Sequence, residues 1–303
     1  MTRSPDAGSE PTSGLAVLDK PAGLTSHQVV SRVRRIAGSK KVGHAGTLDP
    51  MATGVLVLGI NRATRLLGHL ILHDKSYAAT IRLGVSTVSD DADGAVTEAP
   101  GVLALGSEQL EAALGSFRGD IQQVPAAVSA IKVGGVRSYA RARAGQPVTV
   151  AARPVRIERL ELANRRDLVL DGLPVVDLDV LVECSSGTYV RALARDLGAV
   201  LGTGGHLTAL RRLRVGPFDI AEAQTLEQAE EDLAMIGLSE VGRRCFATVT
   251  LNDDQAAAVR VGRRLDGLRL PAEPTALLSV ADELLALYRS DGDGARPEAV
   301  LVG

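Results

Sequence analysis

The sequence is poor in the residues and patterns that mark several common classes of protein. Only 2% of its residues are aromatic, tryptophan is absent, and two cysteines, Cys184 and Cys245, are too few for a disulfide framework or a paired-cysteine metal site. No apolar run approaches the ~18 residues of a membrane-spanning helix. Neither a G-x-G-x-x-G motif nor a P-loop occurs. These absences argue against a secreted disulfide-rich domain, a membrane protein and a nucleotide-cofactor enzyme, and they predict a cytoplasmic protein.

The chain is well supplied with the residues that build a globular core. Of its 303 residues 45% are hydrophobic and 23% are charged, and the length favours roughly two domains. Residues 1–13 are instead rich in Ser, Pro, Gly and acids and have no apolar stretch. We expect them to form a disordered tail rather than a signal peptide.

The net charge of -2 hides a strong segregation of charge along the chain. Basic residues dominate Lys20–Lys41 (six, with no acid), Lys132–Arg166 (nine, against two acids) and Arg191–Arg214 (five, against one acid). Acids dominate Asp90–Glu111 and Asp219–Asp232, with six in each and no base. Any single block is typical of a solvated helix face. Together the basic blocks predict one positive face that attracts phosphates.

Hydrophobic periodicity and capping residues predict a mixture of strands and helices. The predicted strands are Gly14–Leu18, Val55–Ile60, Ala78–Leu83, Val155–Leu162, Leu168–Cys184, Ala276–Val280 and Ala299–Val302. The predicted helices are one opened by a capping box of Thr25 and Gln28, Asn61–His73, one beginning at Ser107, Val190–Leu201, and one opened by a second capping box of Thr225 and Gln228. This mixture favours an α+β fold over a doubly wound sheet.

The stretch Gly43–Gly54, with the sequence GHAGTLDPMATG, is the strongest candidate for a functional site. Gly43 and Gly46 can adopt positive φ, and Pro50 fixes its own φ and biases Asp49 away from helical backbone. The carboxylate of Asp49 is therefore expected on a rigid corner before a buried strand. An Asp before Pro is also a common turn opener, and the spacing alone favours a turn-capping role for Asp49.

Two further polar residues suggest what Asp49 could do. Tyr77 enters a strand, a position where most tyrosines only pack, and Arg191 opens a helix, where a cation opposes the dipole and calls for a carboxylate or phosphate partner. If Arg191 faces Asp49, it keeps the acid ionised and oriented. An ionised carboxylate can serve as nucleophile or base in glycosidic-bond chemistry. No Cys/His cluster suits a metal, and the acidic turn Ser89–Gly94 lacks the glutamate that a calcium loop requires, so we expect no metal and no cofactor.

The Gly43–Gly54 stretch, continued by Val55 and Leu56, resembles the signature of the TruB-type tRNA pseudouridine synthases, of a bacterial, actinobacterial-like kind. These enzymes modify the T-loop uridine of tRNA. Leu18–Gly23 resembles the lysine–proline motif of the family. Further family motifs follow in order: Lys75-Ser76-Tyr77, Arg82-Leu83-Gly84, Ser129–Lys132, Gly187–Arg191 and Leu210–Leu213. The resemblance covers about residues 14 to 220, and its central motif is long and specific.

The resemblance implies a role for each matching residue. Asp49 would be the catalytic aspartate, Tyr77 would stack on the target base and assist proton removal, and Arg191 would pair with Asp49. The other implied contacts to substrate or RNA are His44, in the place that the flipped-out nucleotide leaves, Tyr189 and Leu210, lining the pocket, and Lys20, Lys132, Arg137 and Arg141. The implied partner is the T-arm of tRNA, with no metal, cofactor, membrane or obligate protein partner.

The resemblance also implies the fold and its divisions. The expected pseudouridine synthase fold is a mixed, largely antiparallel sheet flanked by helices, spanning residues 14–245. An RNA-gripping thumb insertion would correspond to about 122–145, a basic segment with few large apolar residues. Residues 246–303 would form a small C-terminal PUA-like RNA-binding domain.

Three rival interpretations remain open. The chain could be a guide-RNA-type pseudouridine synthase for ribosomal RNA, although its short acidic N-terminal segment and lack of lysine-rich extensions make this less favoured. It could be a non-catalytic RNA-binding or chaperone protein that uses the same basic face. It could also be a nucleoside hydrolase, which would release free uracil. Asp49 distinguishes an enzyme from a protein that only binds RNA, because binding to phosphate alone does not require an acid.

Overall fold

The computed structural model of the chain describes residues 13–126 and 151–302, together with the backbone of residues 132–133 and 136–137. Its strands are β1 Gly14–Lys20, β2 Val42–His44, β3 Thr53–Ile60, β4 Lys75–Leu83, β5 Ser86–Thr87, β6 Val96–Glu98, β7 Gly119–Gln123, β8 Lys132–Val133, β9 Val136–Arg137, β10 Arg153–Leu170, β11 Leu173–Cys184, β12 Gly205–Val215, β13 Phe218–Asp219, β14 Ile236–Gly237, β15 Ala247–Leu251, β16 Thr275–Ser279, β17 Leu284–Asp291 and β18 Gly294–Val300.

The α-helices are α1 Ser26–Ile36, α2 Leu67–Leu70, α3 Ser107–Ser116, α4 Val190–Leu201, α5 Leu226–Glu231, α6 Leu238–Cys245 and α7 Asp253–Arg260. Two 3-10 helices occupy Asn61–Leu66 and Ile220–Glu222. Within the described ranges, no helix combines the length and the apolarity that a membrane crossing demands.

Local sequence signals explain why several helices begin and end where they do. Thr25 caps α1: its side chain accepts from the Gln28 amide while the Gln28 side chain accepts from the Thr25 amide, so the predicted capping box is confirmed. The second predicted box, at Thr225 and Gln228, forms in the same way at the start of α5. The predicted bounds of α4 are confirmed.

Several parts of the structure differ from the prediction. The predicted helix Asn61–His73 is a 3-10 helix followed by the single turn α2, and Thr64 Oγ1 donates to the Asn61 carbonyl at 2.7 Å, a local bond that competes with α-helical pairing. The predicted break between Leu162 and Leu168 is wrong, because β10 continues to Leu170. The chain turns instead at Asp171-Gly172, where φ is 51° and 83°. Helices α6 and α7 have no predicted counterpart.

The described residues form two compact units. The first takes the described parts of Met1–Pro50, Gly54–Ile71 and Gly216–Gly303. In it, antiparallel strands pair in the order β14-β1-β3, with β2 also on β3. Helices α1 and α5 contribute to a core with these strands that includes Leu18, Val30 and Leu56.

The first unit also contains the C-terminal part of the chain. Four strands pair in the order β15-β16-β17-β18, of which β15 and β16 are parallel. Their core with α7 includes Val259, Leu277 and Tyr288. Helix α6 contacts both this sheet and β1. The domain boundary after residue 245 and the PUA-like assignment stay predictions.

The second unit takes Met51–Thr53 and the described parts of Leu72–Val215. Five of its strands pair antiparallel in the order β12-β4-β11-β10-β7. Helix α4 packs on β12 and on α3. Strand β4 lies between β12 and β11, and Tyr77 stands directly between Val182 of β11 and Arg212 of β12.

Candidate active site

The Gly43–Gly54 stretch leaves β2, crosses a non-helical loop and enters β3, as the sequence predicts. Gly46 and Gly54 have φ of 101° and 100°, conformations that favour glycine. Gly43 does not adopt positive φ; it lies in β2, where an added Cβ would sit 2.8 Å from Leu67 Cδ1. Its lack of a side chain serves close packing instead. Asp49 is half-buried on the loop.

Lys20 lies beneath this loop and is fully buried. Its Nζ donates to the carbonyls of Pro21 at 2.9 Å, Leu24 at 2.7 Å and Pro50 at 3.2 Å. The amide of Gly23 donates to the same Pro50 carbonyl at 2.8 Å. These bonds tie the lysine–proline motif to the residue that follows Asp49. They assign Lys20 a structural role in the loop, and its predicted contact with RNA stays a prediction.

His44 ends β2 beside the first turn of α1. Its ring meets the exposed ring of His27 edge to face, with centroids 5.5 Å apart and planes at 74°. Sequence reasoning singled out His44 and missed His27, because a histidine in a first helical turn is not a distinguishing signal by itself.

Tyr77, Leu210 and Tyr189 belong to the second unit. Tyr77 on β4 is 6% exposed and Leu210 on β12 is 7% exposed, so both are mostly enclosed by protein. Leu210 lies opposite Ala79 in the β12–β4 pairing, two residues along β4 from Tyr77. The two side chains therefore stand on the same face of that strand pair.

The backbone of Tyr189 is held by an amide side chain. Gln123, 1% exposed at the end of β7, donates from Nε2 to the Tyr189 carbonyl at 3.1 Å and accepts from the Tyr189 amide at 2.8 Å. The Arg153 guanidinium lies 4.6 Å from the centroid of the Tyr189 ring, a cation–π contact. Sequence reasoning missed both residues, since neither stands in a motif that signals this contact.

Arg191 is 5% exposed in the first turn of α4, as expected for a cation with dedicated partners. Its Nη1 donates to the Ser89 carbonyl at 2.7 Å and lies 3.5 Å from Asp91 Oδ2. The prediction that Arg191 needs a carboxylate is therefore satisfied by Asp91. Its predicted pairing with Asp49 stays a prediction.

The acidic turn Ser89–Gly94, which the sequence left without a role, thus contacts the start of α4. One turn further along α4, Arg195 Nη1 lies 3.3 Å from Asp90 Oδ2. Burial raises the pKa of Asp90 to about 6, against the opposing effect of Arg195 and Arg191. The acidic and basic blocks of the sequence meet here and neutralise each other.

Much of the predicted thumb lies outside the described residues. In the backbone that is described, Lys132 and Arg137 stand opposite each other in the β8–β9 pair. Arg141 and the side chains of Lys132 and Arg137 lie outside the described part, so their RNA contacts remain predictions.

The described residues contain no group of three or more His, Cys, Asp or Glu side chains that could hold a metal ion. Both cysteines are free, and burial raises the pKa of Cys184 to about 11 and that of Cys245 to about 12. Neither thiol is therefore an activated nucleophile at neutral pH. Asp49 remains the candidate that the loop presents.

Comparison with known proteins now identifies the family. Residues 34–190, more than half of the chain, match the TruB family pseudouridylate synthase N-terminal domain, and residues 191–240 match the tRNA pseudouridylate synthase B C-terminal domain. The chain belongs to the TruB family. The tRNA pseudouridine synthase B of Cutibacterium acnes is 57% identical over 93% of this chain and 94% of its own length, and that of Nocardia farcinica is 53% identical over 96% and 94%.

Solved structures agree with this membership. A crystal structure of a Cbf5-Nop10-Gar1 complex superposes with a TM-score of 0.70 at 25% identity, covering 99% of this TruB-family chain and 91% of the other. An archaeal box H/ACA sRNP Nop10-Cbf5 complex gives 0.67 at 25% identity, covering 96% and 87%. The predicted α+β class and pseudouridine synthase fold are confirmed.

Proposed function

We propose that this TruB-family chain isomerises uridine 55 in the T-loop of tRNA to pseudouridine. The proposal is supported by family membership and by relatives of about half identity, all named tRNA pseudouridine synthase B. The observation that carries it is the Gly43–Gly54 loop, which presents a single half-buried carboxylate, Asp49, held by bonds to the residue that follows it.

The reaction rearranges bonds within one nucleotide. The bond between N1 of uracil and C1′ of ribose breaks, and a bond between C5 and C1′ forms. C5 loses a proton and N1 gains one, so substrate and product are isomers and no other reactant is consumed. Attack on C1′, attack on C6 and removal of the C2′ proton all use Asp49 in its ionised form.

The other proposed residues surround this step. Tyr77 stacks on the target base and assists removal of the C5 proton, and Arg191 pairs with Asp49 and orients its carboxylate. Tyr189 and Leu210 line the base pocket. The contacts of Arg191 with Asp91 and Ser89 support this role, because they fix the guanidinium from the side of the acidic turn.

The uridine must leave the stacked T-loop before a carboxylate can reach its glycosidic bond. His44 is proposed to occupy the vacated place, and the edge contact with His27 supports it by holding the ring. Lys132, Arg137 and Arg141 are proposed to grip the T-arm backbone, in a cytoplasmic enzyme that needs no obligate protein partner.

The decisive experiment incubates the full chain with an unmodified T-arm hairpin and maps pseudouridine. Wild type is expected to convert the T-loop uridine, whereas Asp49→Asn is expected to bind the hairpin with similar affinity and to form no detectable product. Because the substitution keeps size and removes charge, unchanged modification by Asp49→Asn would refute the catalytic assignment. Binding without modification by the wild type would support the non-catalytic chaperone.

The same assay separates the remaining alternatives. Free uracil as product would indicate a nucleoside hydrolase. Activity confined to a ribosomal RNA target with an added guide RNA would indicate the guide-dependent class. The identities favour the tRNA enzyme, since relatives with that name reach 57% whereas the Cbf5 complexes reach 25%.

A further inference from the structure

The backbone on both sides of Asp49 is held by hydrogen bonds from elsewhere in the same unit, through the residue before it, Leu48, and the residue after it, Pro50. On the C-terminal side, Lys20 and Gly23 donate to the Pro50 carbonyl. On the N-terminal side, the partner is Ser26, the first residue of α1, which is 1% exposed. Its Oγ accepts from the Leu48 amide at 2.9 Å and donates to the Leu48 carbonyl at 3.1 Å.

These two hydrogen bonds of Ser26 restrict the backbone conformation that leads into Asp49. The Leu48 carbonyl belongs to the peptide group that joins Leu48 to Asp49, and the Leu48 amide belongs to the preceding peptide group. A single hydroxyl bonded to both fixes the relative orientation of two consecutive peptide planes. That orientation sets the positions of the Asp49 N and Cα atoms. The direction of its Cα–Cβ bond then depends only on the φ of Asp49, whose backbone the following Pro50 restricts.

The hydroxyl itself is firmly anchored. Ser26 follows the N-cap Thr25, whose capping box is complete, and the next turn of α1 buries Val29 and Val30 in the core. Leu48 is also buried, at 4% exposed, so its amide and carbonyl have no ready access to bulk water. Loss of the hydroxyl would leave two enclosed backbone groups that must shift to find new partners.

We propose that Ser26 is a positioning residue for the reaction, which orients the Asp49 carboxylate through the backbone of Leu48. The inference rests on the proposed function and adds to it a residue outside every motif that carries the family resemblance. A misplacement of about 1 Å in a reacting group can cost on the order of 100-fold in rate. Ser26→Ala should therefore lower kcat by about 10- to 100-fold and leave KM for the hairpin within about twofold.

The chain offers a matched control at the other end of α1. Ser39 is also buried and also makes two bonds: its Oγ donates to Asn61 Oδ1 at 2.6 Å and accepts from the Lys41 amide at 3.1 Å. Ser39→Ala removes the same group and the same number of bonds in the same unit, but none to the loop of Asp49. A loss of stability alone would therefore affect both variants.

The experiment measures single-turnover and steady-state pseudouridine formation, together with thermal unfolding, for wild type, Ser26→Ala, Ser26→Cys and Ser39→Ala. Both alanine variants are expected to unfold at similar temperatures, with kcat reduced only in Ser26→Ala. Ser26→Cys fills the space but hydrogen-bonds weakly, so it should stay impaired. If Ser26→Ala does not fold, Ser26→Cys alone tests the inference.

Three results would overturn the inference. These are a normal kcat in Ser26→Ala, an equal loss in Ser39→Ala, and full activity in Ser26→Cys, which would assign the effect to volume. Failure of the wild type to form pseudouridine would refute the proposed function and the inference together. Wild-type activity with a normal Ser26→Ala refutes the inference alone.

Discussion

Two basic regions of this chain look alike in sequence and differ in the structure. At the start of α4, the buried Arg191 and its neighbour Arg195 each lie against a carboxylate of the acidic turn. At the end of α1 and in the turn after it, Arg35, Lys40 and Lys41 are exposed, and no carboxylate among the described residues lies within ion-pair distance of them.

The difference separates two uses of positive charge. A buried arginine held by a carboxylate and a carbonyl has a fixed direction and little remaining field, which suits the orientation of a reacting group. An exposed and uncompensated cation keeps its field in solution and can attract a phosphodiester backbone over about a Debye length, roughly 8 Å at physiological salt. The first region should therefore act on kcat and the second on affinity.

The largest expected effect comes from removing the charge of Asp91, the carboxylate partner of Arg191. Asp91→Asn keeps the shape and removes the charge opposite Arg191, so the guanidinium loses the partner that fixes its direction. We expect kcat for pseudouridine formation to fall by about 100-fold with KM nearly unchanged. Asp196→Asn, which removes a half-exposed partner of Arg195, is the control and should lose little. A KM effect without a kcat effect would contradict the assignment.

A second, smaller effect should come from removing the uncompensated cations. In the triple variant Arg35→Gln, Lys40→Gln, Lys41→Gln, we expect about a tenfold weaker affinity for the tRNA T-arm and an unchanged kcat. The slope of log K against log salt should shrink by about 2 to 3, because each phosphate contact contributes about 0.7 to 0.9. Affinity measured at several salt concentrations gives both values.

A charge-matched control for the triple variant lies in the β10 strand. Arg156, Arg159 and Arg165 each pair with a nearby carboxylate, so replacing all three by Gln changes the net charge by the same three units. Since their charge is already compensated, we expect affinity and salt slope to stay close to wild type. Equal losses in the two triple variants would show that only net charge matters.

The smallest expected effect concerns stability and pH at Asp90. Its pKa is raised to about 6 in the folded protein from an ordinary 3.8, mainly by burial. Between these values the folded state holds a proton that the unfolded state releases, so stability falls as pH rises through this window. Asp90→Asn cannot ionise and should lack this fall, which is on the order of 2 kcal/mol. Chemical unfolding of both proteins at pH 4, 5, 6 and 7 measures the free energy of unfolding. The same pH dependence in wild type and Asp90→Asn would contradict the raised pKa of Asp90.

Much of the secondary structure could be predicted from local sequence signals. The capping boxes at Thr25 and Thr225 are interactions between residues three apart, and the bounds of α4 follow from its apolar stripe and the glycine at 202, whose φ is 71°. The strand break expected near Asn164–Asp167 was wrong for an equally local reason. Polar residues in such a run are typical of a loop. In the structure, however, Arg165 pairs with Asp167 and Arg166 pairs with Asp179 on a solvated strand face.

The site was predictable only in its motif residues. Asp49 and Arg191 stand in recognisable sequence patterns, but the ion pair of Arg191 with Asp91 joins residues about 100 positions apart and depends on how the acidic turn packs against α4. The amide clamp of Gln123 on Tyr189 likewise exists only after β7 and α4 are in place. Tertiary packing, which a single sequence does not display, creates both.

The enclosure of Lys20 makes this side chain a reporter of the loop above it. Its amine is wrapped by three carbonyls and shielded from solvent, whereas the amines of Lys40 and Lys41 stand open. A brief treatment with an acylating reagent should therefore mark the latter two and spare Lys20 in intact protein. Modification of Lys20, read by mass spectrometry, would then record opening of the loop that holds Asp49.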